Sequence, residues 1–270
     1  TFSDLALLQV EVDDSRLHPI TIGDSDTVRV GQRAIVIGNP FGLANSMTTG
    51  IISGIGRRLA SAELIDAGVV RGFQNPSIIQ VDVSISGGSS GGPLLNSNGE
   101  VIGVVSAIQT ESGTFQGVGF AVPSNTVRRV IPELIANGSI DYAWLGVNTI
   151  REENGISLAG IAAPLDLPVS EGVLVTTVTL GSPAAEAGIQ GGDHVVEAWG
   201  REICAGGDII VAINDERLAD MSALLTYLIM NTTPGDSITL TIIRGSETLD
   251  VPVTLAVRPT SGGQAVSECE

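Results

Sequence analysis

The stretch that decides how this chain is interpreted runs from residue 87 to residue 108 and reads GGSSGGPLLNSNGEVIGVVSAI. Four glycines and two serines stand directly before an apolar strand, although glycine loses more backbone freedom on folding than any other residue. An exposed nucleophilic serine would explain this composition, because it needs neighbours without side chains and backbone N–H groups that face a developing oxyanion. We therefore interpret Ser90 as a nucleophile, with the N–H groups of Gly88 and Ser90 as oxyanion donors. For this string alone, a Gly/Ser turn in a hairpin is an equally good interpretation.

The composition excludes several classes of function. The 270 residues carry 13 basic and 30 acidic side chains, a formal net charge of −17, so nucleic acid and anionic lipid would repel the chain. Aromatic residues are only 3% of the total, which leaves few platforms for stacking on bases. No apolar run reaches the length of about 18 residues that a bilayer requires, so we expect no membrane span. The two cysteines, Cys204 and Cys269, lack metal-ligand spacing; we interpret both as incidental thiols and expect no metal and no cofactor.

The first half of the chain is predicted to be antiparallel β structure. Short apolar runs such as DLALLQVEV, RAIVIG and EVIGVVSAI alternate with turn residues, which is typical of barrels and sandwiches. Residues 57–75 break this rhythm and predict a long surface loop. Ser124 is predicted to cap a helix that ends at Gly138.

The second half has a different pattern. Four or more strands and two helices fall within residues 140–257, which predicts a small α+β domain. The segment HVVEAWGREICAGGD, residues 194–208, is predicted to form an extra hairpin, which we interpret as a decorated loop without function. The short, polar, Gly-rich stretch 258–270 predicts a mobile tail.

Residues 3–137 resemble the HtrA/Deg family of trypsin-like serine proteases. The nucleophile segment is close to the family string NPGNSGGPL, and VRVGQRAIVIGNPFGLANSMTTGIISGIGR and GVGFAVPSNTV match the segments on either side. Ser86-Gly87 replaces the usual Asn-Pro and Ser89 replaces Asn, and we expect both changes to loosen the loop. The resemblance implies a mainly β fold, a trypsin-like double β-barrel whose first barrel is largely missing, over residues 1–139.

The resemblance also implies an incomplete catalytic triad. SDLALLQV resembles the family strand that carries the triad aspartate, which would be Asp4. Trypsin-like enzymes order the triad as His, Asp, Ser, so the histidine would have to precede Asp4. We interpret His18 and His194 as surface histidines without a catalytic role. The sequence therefore predicts a truncated chain that is nearly inactive alone.

Further residues match family positions with less specific roles. Ile85, Gln109 and Val118 are expected to line a pocket for small apolar side chains, although each fits an ordinary core equally well. Arg57 matches the arginine of a regulatory loop thought to relay the state of the second domain to the active site.

Residues 140–257 resemble a PDZ domain of the type found in this family. WLGV falls where the carboxylate-binding loop would be, so Leu145, Gly146 and Val147 are expected to bind a peptide C-terminus that adds to the sheet as a strand. The helix DMSALLTYLIMNT presents an apolar face that is predicted to belong mainly to the core.

Two functions follow from these features. The first is a PDZ-regulated serine endopeptidase that acts in protein quality control on unfolded polypeptides, extracytoplasmic or periplasmic in bacteria and assembled as a homotrimer in the full-length protein, as the resemblance implies. The second is a pseudoprotease or peptide-binding module that recognises protein C-termini without cleaving them.

Overall fold

The computed structural model of the chain describes residues 3–39, 46–57, 77–108, 116–150, 157–259, 265–266 and 269. It divides into two compact units, Thr1–Ile140 and Asp141–Glu270. The sequence placed this boundary after residue 139. Each unit has its own hydrophobic core and is described by itself.

The first unit is built on a closed antiparallel barrel. Its strands follow the spatial order β1-β2-β3-β6-β5-β4. The strands are β1 (Arg33–Gly38), β2 (Ser46–Arg57), β3 (Ile78–Val81), β4 (Pro93–Leu95), β5 (Val101–Ile108) and β6 (Gly119–Pro123). Alternate side chains such as Ala34, Val36 and Ile52 fill the interior, because successive residues of a strand face opposite sides of the sheet. The mainly β fold and the barrel predicted from the sequence are confirmed.

The segment before β1 differs from the prediction. DLALLQVEV was expected to form a strand, but residues 4–12 contain no regular element, and this region has only two short 3-10 helices, Asp14–Arg16 and Ser25–Thr27. A strand is stable only beside a partner. In the described parts of the chain no strand pairs with this segment, and Leu8 and Val10 are exposed.

Helix α1 (Ser124–Asn137) follows the barrel and ends at Gly138, which has the left-handed conformation predicted for a C-terminal stop. The predicted cap at Ser124 is wrong by one residue. Ser124 is the first helical residue and is fully buried, and its hydroxyl donates to the Gly23 carbonyl at 2.7 Å. The hydroxyl therefore ties the helix to the segment that precedes β1 instead of capping it.

The second unit is a seven-stranded antiparallel sheet with two further two-stranded sheets, one pairing β10 with β11 and the other pairing β7 with β16. Its longest path runs β15-β14-β12-β9-β17, β13 pairs with β12, and β8 pairs with β9. The strands are β7 (Ala143–Trp144), β8 (Val147–Thr149), β9 (Val173–Thr179), β10 (His194–Ala198), β11 (Arg201–Ala205), β12 (Ile209–Ile213), β13 (Glu216–Arg217), β14 (Ser237–Arg244), β15 (Glu247–Thr254), β16 (Ala256–Val257) and β17 (Ala265–Val266). The helices are α2 (Leu158–Ala162), α3 (Pro183–Glu186) and α4 (Met221–Asn231). The apolar face of α4 is buried in the core, as predicted.

The predicted extra hairpin is confirmed as β10 and β11, joined by a tight turn at Trp199 and Gly200, both of which have positive φ. Its inner side chains form a second small core with α2 on the sheet.

The cysteine interpretation is wrong. Cys204 of β11 and Cys269 of the tail form a disulfide with their Cα atoms 5.9 Å apart. The tail also pairs with β9 through β17, so it is tethered at two points where the sequence predicted mobility. The pairing could not be predicted from the sequence, because the two cysteines are 65 residues apart and no local pattern links them.

Candidate active site

Ser90 lies exposed at a reversal of the chain between β3 and β4. Two turns meet there: the Ser89 N–H donates to the Ser86 carbonyl at 2.9 Å, and the Gly92 N–H donates to the Ser89 carbonyl at 3.0 Å. The glycines on either side of this serine pair, Gly88 and Gly91, have φ values of +94° and +82°, a region that side chains other than glycine rarely adopt. Gly88 and Gly91 are therefore required by the backbone path of this loop.

The same loop leaves two backbone donors available. Within the described residues, the N–H groups of Gly88 and Ser90 make no hydrogen bond. Because a trans peptide directs its C=O and N–H groups in opposite directions, the bond from Gly92 to the Ser89 carbonyl turns the Ser90 N–H away from the turn. Such a donor can stabilise a negative oxygen that forms next to the Ser90 hydroxyl.

The end of β1 packs directly under the loop. A Cβ on Gly38 would approach the Ser89 Cα to 2.9 Å, and the Asn39 N–H donates to the Gly88 carbonyl at 3.0 Å. The Ser89 side chain is only 4% exposed, and its Oγ accepts from the Ser86 N–H at 3.4 Å. Ser89, a substitution that was expected to loosen the loop, is therefore packed and hydrogen bonded within it.

Asp4 and Ser90 are brought to the same strand, β5. The Ser106 hydroxyl of β5 donates to Asp4 Oδ2, while the neighbouring Val105 carbonyl accepts from the Gly91 N–H at 2.8 Å. Asp4 thus contacts β5 directly at Ser106, and Ser90 precedes the glycine that is bonded to the adjacent Val105. Leu5, beside Asp4, packs against a small apolar cluster of Ile78, Phe120 and Val122, which anchors the segment.

Ser106 is a site residue that the sequence reasoning did not identify. The available signal was one hydroxyl in the otherwise apolar run VIGVVSAI. A polar side chain in such a strand needs a partner, and its partner is the Asp4 carboxylate.

The two histidines take no part in this arrangement. His18 is exposed in the segment before β1. His194 belongs to the second unit, where its Nδ1 lies 2.5 Å from Asp193 Oδ1. That hydrogen bond to His194 holds the pKa of the Asp193 carboxyl below its usual value.

The pocket residues have different environments. Ile85 is 2% exposed and belongs to the barrel core, where a Cβ on Gly119 would meet its Cδ1 at 2.3 Å. Val118, beside Gly119, is half-buried against the cluster that also holds Leu5. Burial of Ile85 favours its core interpretation. Gln109 lies outside the described residues, and Arg57 is described only as the last residue of β2, paired with Ile78.

The WLGV loop of the second unit directs its carbonyls inward. The Leu145 carbonyl accepts from the Ala184 N–H at 2.9 Å, and the Gly146 carbonyl accepts from the Thr179 N–H at 2.8 Å. By the trans geometry of the peptide, the N–H groups of Gly146 and Val147 point the opposite way. Gly146 has a φ of +89°, and a Cβ there would lie 2.2 Å from the Ser182 Cβ, so only glycine fits.

Strand β8 continues from this loop with one open edge. Val147 pairs with Val178 of β9, and among the described strands only β9 borders β8. Because backbone groups along a strand face alternate sides, the N–H and C=O of Val147 lie on the edge away from β9. An extended peptide can add to that edge with its terminal carboxylate at the loop N–H groups.

No group of three or more His, Cys, Asp or Glu side chains capable of holding a metal ion occurs among the described residues. No helix in the described part of the chain is long and apolar enough to cross a membrane.

Comparison with known proteins identifies two domains. Residues 1–104 match the trypsin-like peptidase domain, and residues 143–255 match the PDZ domain. The two matches fall in the two structural units.

Several curated proteins are similar over nearly the whole chain. The chain is 38% identical over 263 residues to the periplasmic pH-dependent serine endoprotease DegQ of Escherichia coli, covering 97% of the chain and 51% of that protein. It is 38% identical over 261 residues to the probable periplasmic serine endoprotease DegP-like of Chlamydia trachomatis, covering 97% of the chain and 46% of that protein. The chain spans about half the length of the curated relatives it matches. A solved structure of the HtrA-type protease AlgW with a tripeptide is similar with a TM-score of 0.70 at 28% identity, covering 94% of this chain and 73% of that one.

Proposed function

The chain belongs to the HtrA/Deg family of trypsin-like serine proteases with a PDZ domain, and from this premise we propose that it forms part of a PDZ-regulated serine endopeptidase. The observation that carries the proposal is the exposed Ser90 beside two backbone donors without partners in the described residues. Ser90 Oγ attacks a peptide carbonyl and forms an acyl-enzyme. The N–H groups of Gly88 and Ser90 stabilise the negative oxygen of the tetrahedral intermediate.

The reaction also needs a group that accepts the proton of Ser90. In this proposal that group is a histidine other than His18 and His194, oriented by the Asp4 carboxylate, which Ser106 holds in place. A serine protease without its triad retains only about 10³- to 10⁴-fold acceleration over water. The 270 residues alone are therefore expected to be nearly inactive.

The natural substrates are proposed to be unfolded polypeptides. A protease of this kind acts on extended chain, which an unfolded protein offers and a compact domain does not. Leu145, Gly146 and Val147 are proposed to bind protein C-termini beside β8, and Arg57 to relay that binding to the catalytic loop. The family resemblance supports a homotrimer for the full-length protein.

An extracytoplasmic, periplasmic location is proposed. The DegP-like and DegQ relatives are named as periplasmic proteins. The Cys204–Cys269 disulfide supports the same location, because disulfides persist in oxidising compartments and are rare in the cytosol.

The activity is tested on the chain expressed together with whatever coding sequence precedes Thr1 in its gene. The measurements are hydrolysis of an unfolded protein such as casein and labelling by a fluorophosphonate probe, with the labelled residue located by mass spectrometry. Ser90→Ala is expected to reduce hydrolysis about 10³-fold or more and to abolish labelling. Ser89→Ala is the matched control, because it removes a neighbouring hydroxyl and leaves the nucleophile; it should keep labelling.

Two results would reject a catalytic Ser90. One is hydrolysis that survives Ser90→Ala, and the other is a label found on Ser89. Peptide binding without any hydrolysis or labelling would instead support the second candidate, a module that captures C-termini without cleaving, which the open edge of β8 favours.

The peptide site is tested with one apolar peptide in two forms, carrying a free carboxylate or a C-terminal amide. Loss of the carboxylate removes the charge that the loop N–H groups would bind, so the affinity of the amide form should be lower by a factor of about ten or more. Equal affinity of the two forms would show that WLGV does not bind a C-terminus.

A further inference from the structure

The tail strand β17 lies on one edge of Val178 and Thr179 of β9, and the WLGV loop with the start of β8 lies on the other edge. Val178 pairs with Val266 of the tail on one edge and with Val147 on the other. Thr179 pairs with Ala265, and its N–H donates to the Gly146 carbonyl at 2.8 Å. The tail therefore contacts Thr179, the residue whose N–H holds the Gly146 carbonyl and so orients the loop N–H groups.

The pairing of the tail is too short to persist without help. A strand of two residues forms very few backbone hydrogen bonds, and the net stability of each is small beside the entropy lost in ordering the chain. Cys269 follows Val266 by three residues and is bonded to Cys204 of β11. The disulfide supplies the constraint that the two-residue pairing lacks.

The other end of the disulfide is fixed to β9 as well. A Cβ on Gly192 would approach the Cys204 Sγ to 2.6 Å, so the sulfur lies against that glycine. The Gly192 N–H in turn donates to the Thr176 carbonyl of β9 at 3.0 Å. Contacts to β9 therefore come from Gly192, which lies against the hairpin cysteine, at Thr176 and from the tail at Val178 and Thr179. The disulfide links the hairpin covalently to the tail.

We propose that the Cys204–Cys269 disulfide is a redox-sensitive lock on the peptide site of the PDZ domain, an inference that rests on the peptide binding proposed above. In the oxidised protein the tail holds the end of β9, and Thr179 keeps the Gly146 carbonyl turned inward. A dithiol reductant breaks the S–S bond by donating two electrons and two protons, so that Cys204 and Cys269 become thiols and the reductant becomes a disulfide. Both cysteines are only half-buried, so a reductant can reach them.

Release of the tail is expected to weaken peptide binding. The N–H and C=O groups of Val178, which face the tail because those of Thr179 face the other way, lose their partner strand, so this end of β9 opens locally more often. A peptide must then order the loop as it binds, and that cost reduces its affinity.

The experiment compares peptide affinity in the oxidised and reduced chain. The chain has two tryptophans, Trp144 and Trp199, and Trp144 lies in the loop itself. Trp199→Phe leaves Trp144 as the single fluorescent reporter. Titration with an apolar free-acid hexapeptide is expected to give a dissociation constant about three- to tenfold higher after treatment with dithiothreitol.

A double variant and an independent measurement complete the test. Cys204→Ser with Cys269→Ser should bind like the reduced chain and should not respond to dithiothreitol. Hydrogen exchange of residues 176–179 should be faster in the reduced chain and in the double variant than in the oxidised chain. Unchanged exchange of the distant β14–β15 pair would show that the fold is intact.

The outcomes separate the two proposals. Equal affinity before and after reduction, or tighter binding after it, overturns the lock and leaves the peptide site standing. Absence of binding in the oxidised chain overturns the peptide site and its regulation together. Faster exchange of residues 176–179 with unchanged affinity also overturns the lock, since it shows a released tail that does not control binding.

Discussion

Arg244→Met is expected to destabilise the second unit strongly. Asp208 is 0% exposed, and its carboxylate accepts from Arg244 Nε and Nη2, both at 2.7 Å, and from the Gln190 N–H at 2.8 Å. Removing the guanidinium leaves a buried charge with one remaining donor. Breaking a buried pair in this way typically costs about 3–5 kcal/mol, and we expect about 3 kcal/mol because the Arg244 side chain is itself 33% exposed.

The assay is urea unfolding of the oxidised chain followed by tryptophan fluorescence. Both tryptophans, Trp144 and Trp199, lie in the second unit, so the signal reports that unit alone. Arg217→Met, at an exposed arginine of β13, is the matched control and should change the free energy of unfolding by about 0.5 kcal/mol or less.

A double-mutant cycle tests the reason for the loss. Asp208→Asn combined with Arg244→Met removes the unpaired charge, so the two changes together should cost about 1–2 kcal/mol less than the sum of the single changes. A loss below about 1 kcal/mol for Arg244→Met, or simple additivity in the cycle, would refute the argument that this pair holds the unit together.

Three further changes test the first unit. In a catalytically competent protein, Ser106→Ala removes the hydroxyl that fixes the Asp4 carboxylate, so kcat should fall about tenfold with little change in KM; an unchanged kcat contradicts this positioning role. Gly38→Ala should displace the nucleophile loop and destabilise the unit by about 1–3 kcal/mol, measured by thermal unfolding, and normal fluorophosphonate labelling with unchanged stability would contradict it. The hydrogen bond from Asn125, followed by a backbone N–H, lowers the pKa of Asp24, so this carboxylate stabilises the fold above its unfolded pKa of about 3.9 and the contribution disappears as the pH falls further. Asp24→Asn should therefore flatten the fall in stability between about pH 4 and pH 2, followed by circular dichroism, and an unchanged acid profile would contradict it.

The barrel and the sheet could be predicted because their patterns are local. Apolar runs of strand length with glycine turns between them specify strands, and alternation places Val36 and Ile52 in the core. The same reasoning gave a strand for residues 4–12, and it failed there. Alternation shows which side of a strand would be buried, but it does not supply the neighbouring strand that holds it.

The disulfide and the tail strand could not be predicted for a related reason. Their partners, β9 and β11, are distant in sequence, and the two residues of β17 are too few to carry a periodic signal. In the candidate catalytic loop, glycine content pointed to Ser90, whereas Ser106 was missed because its proposed role depends on Asp4, which approaches from a distant part of the chain.

Both candidate sites depend on backbone donors, and both obtain them in the same way. At each site a neighbouring carbonyl is held by an internal hydrogen bond, from Gly92 to Ser89 in the catalytic loop and from Thr179 to Gly146 in the peptide loop. Trans peptide geometry then directs the following N–H outward, towards a ligand oxygen. This explains why a chain with a net charge of −17 can present sites for anionic oxygens without using its few cationic side chains. It also explains why glycine is the main sequence signal at both sites: the functional atoms belong to the main chain, and the sequence reveals them only through the conformations they require.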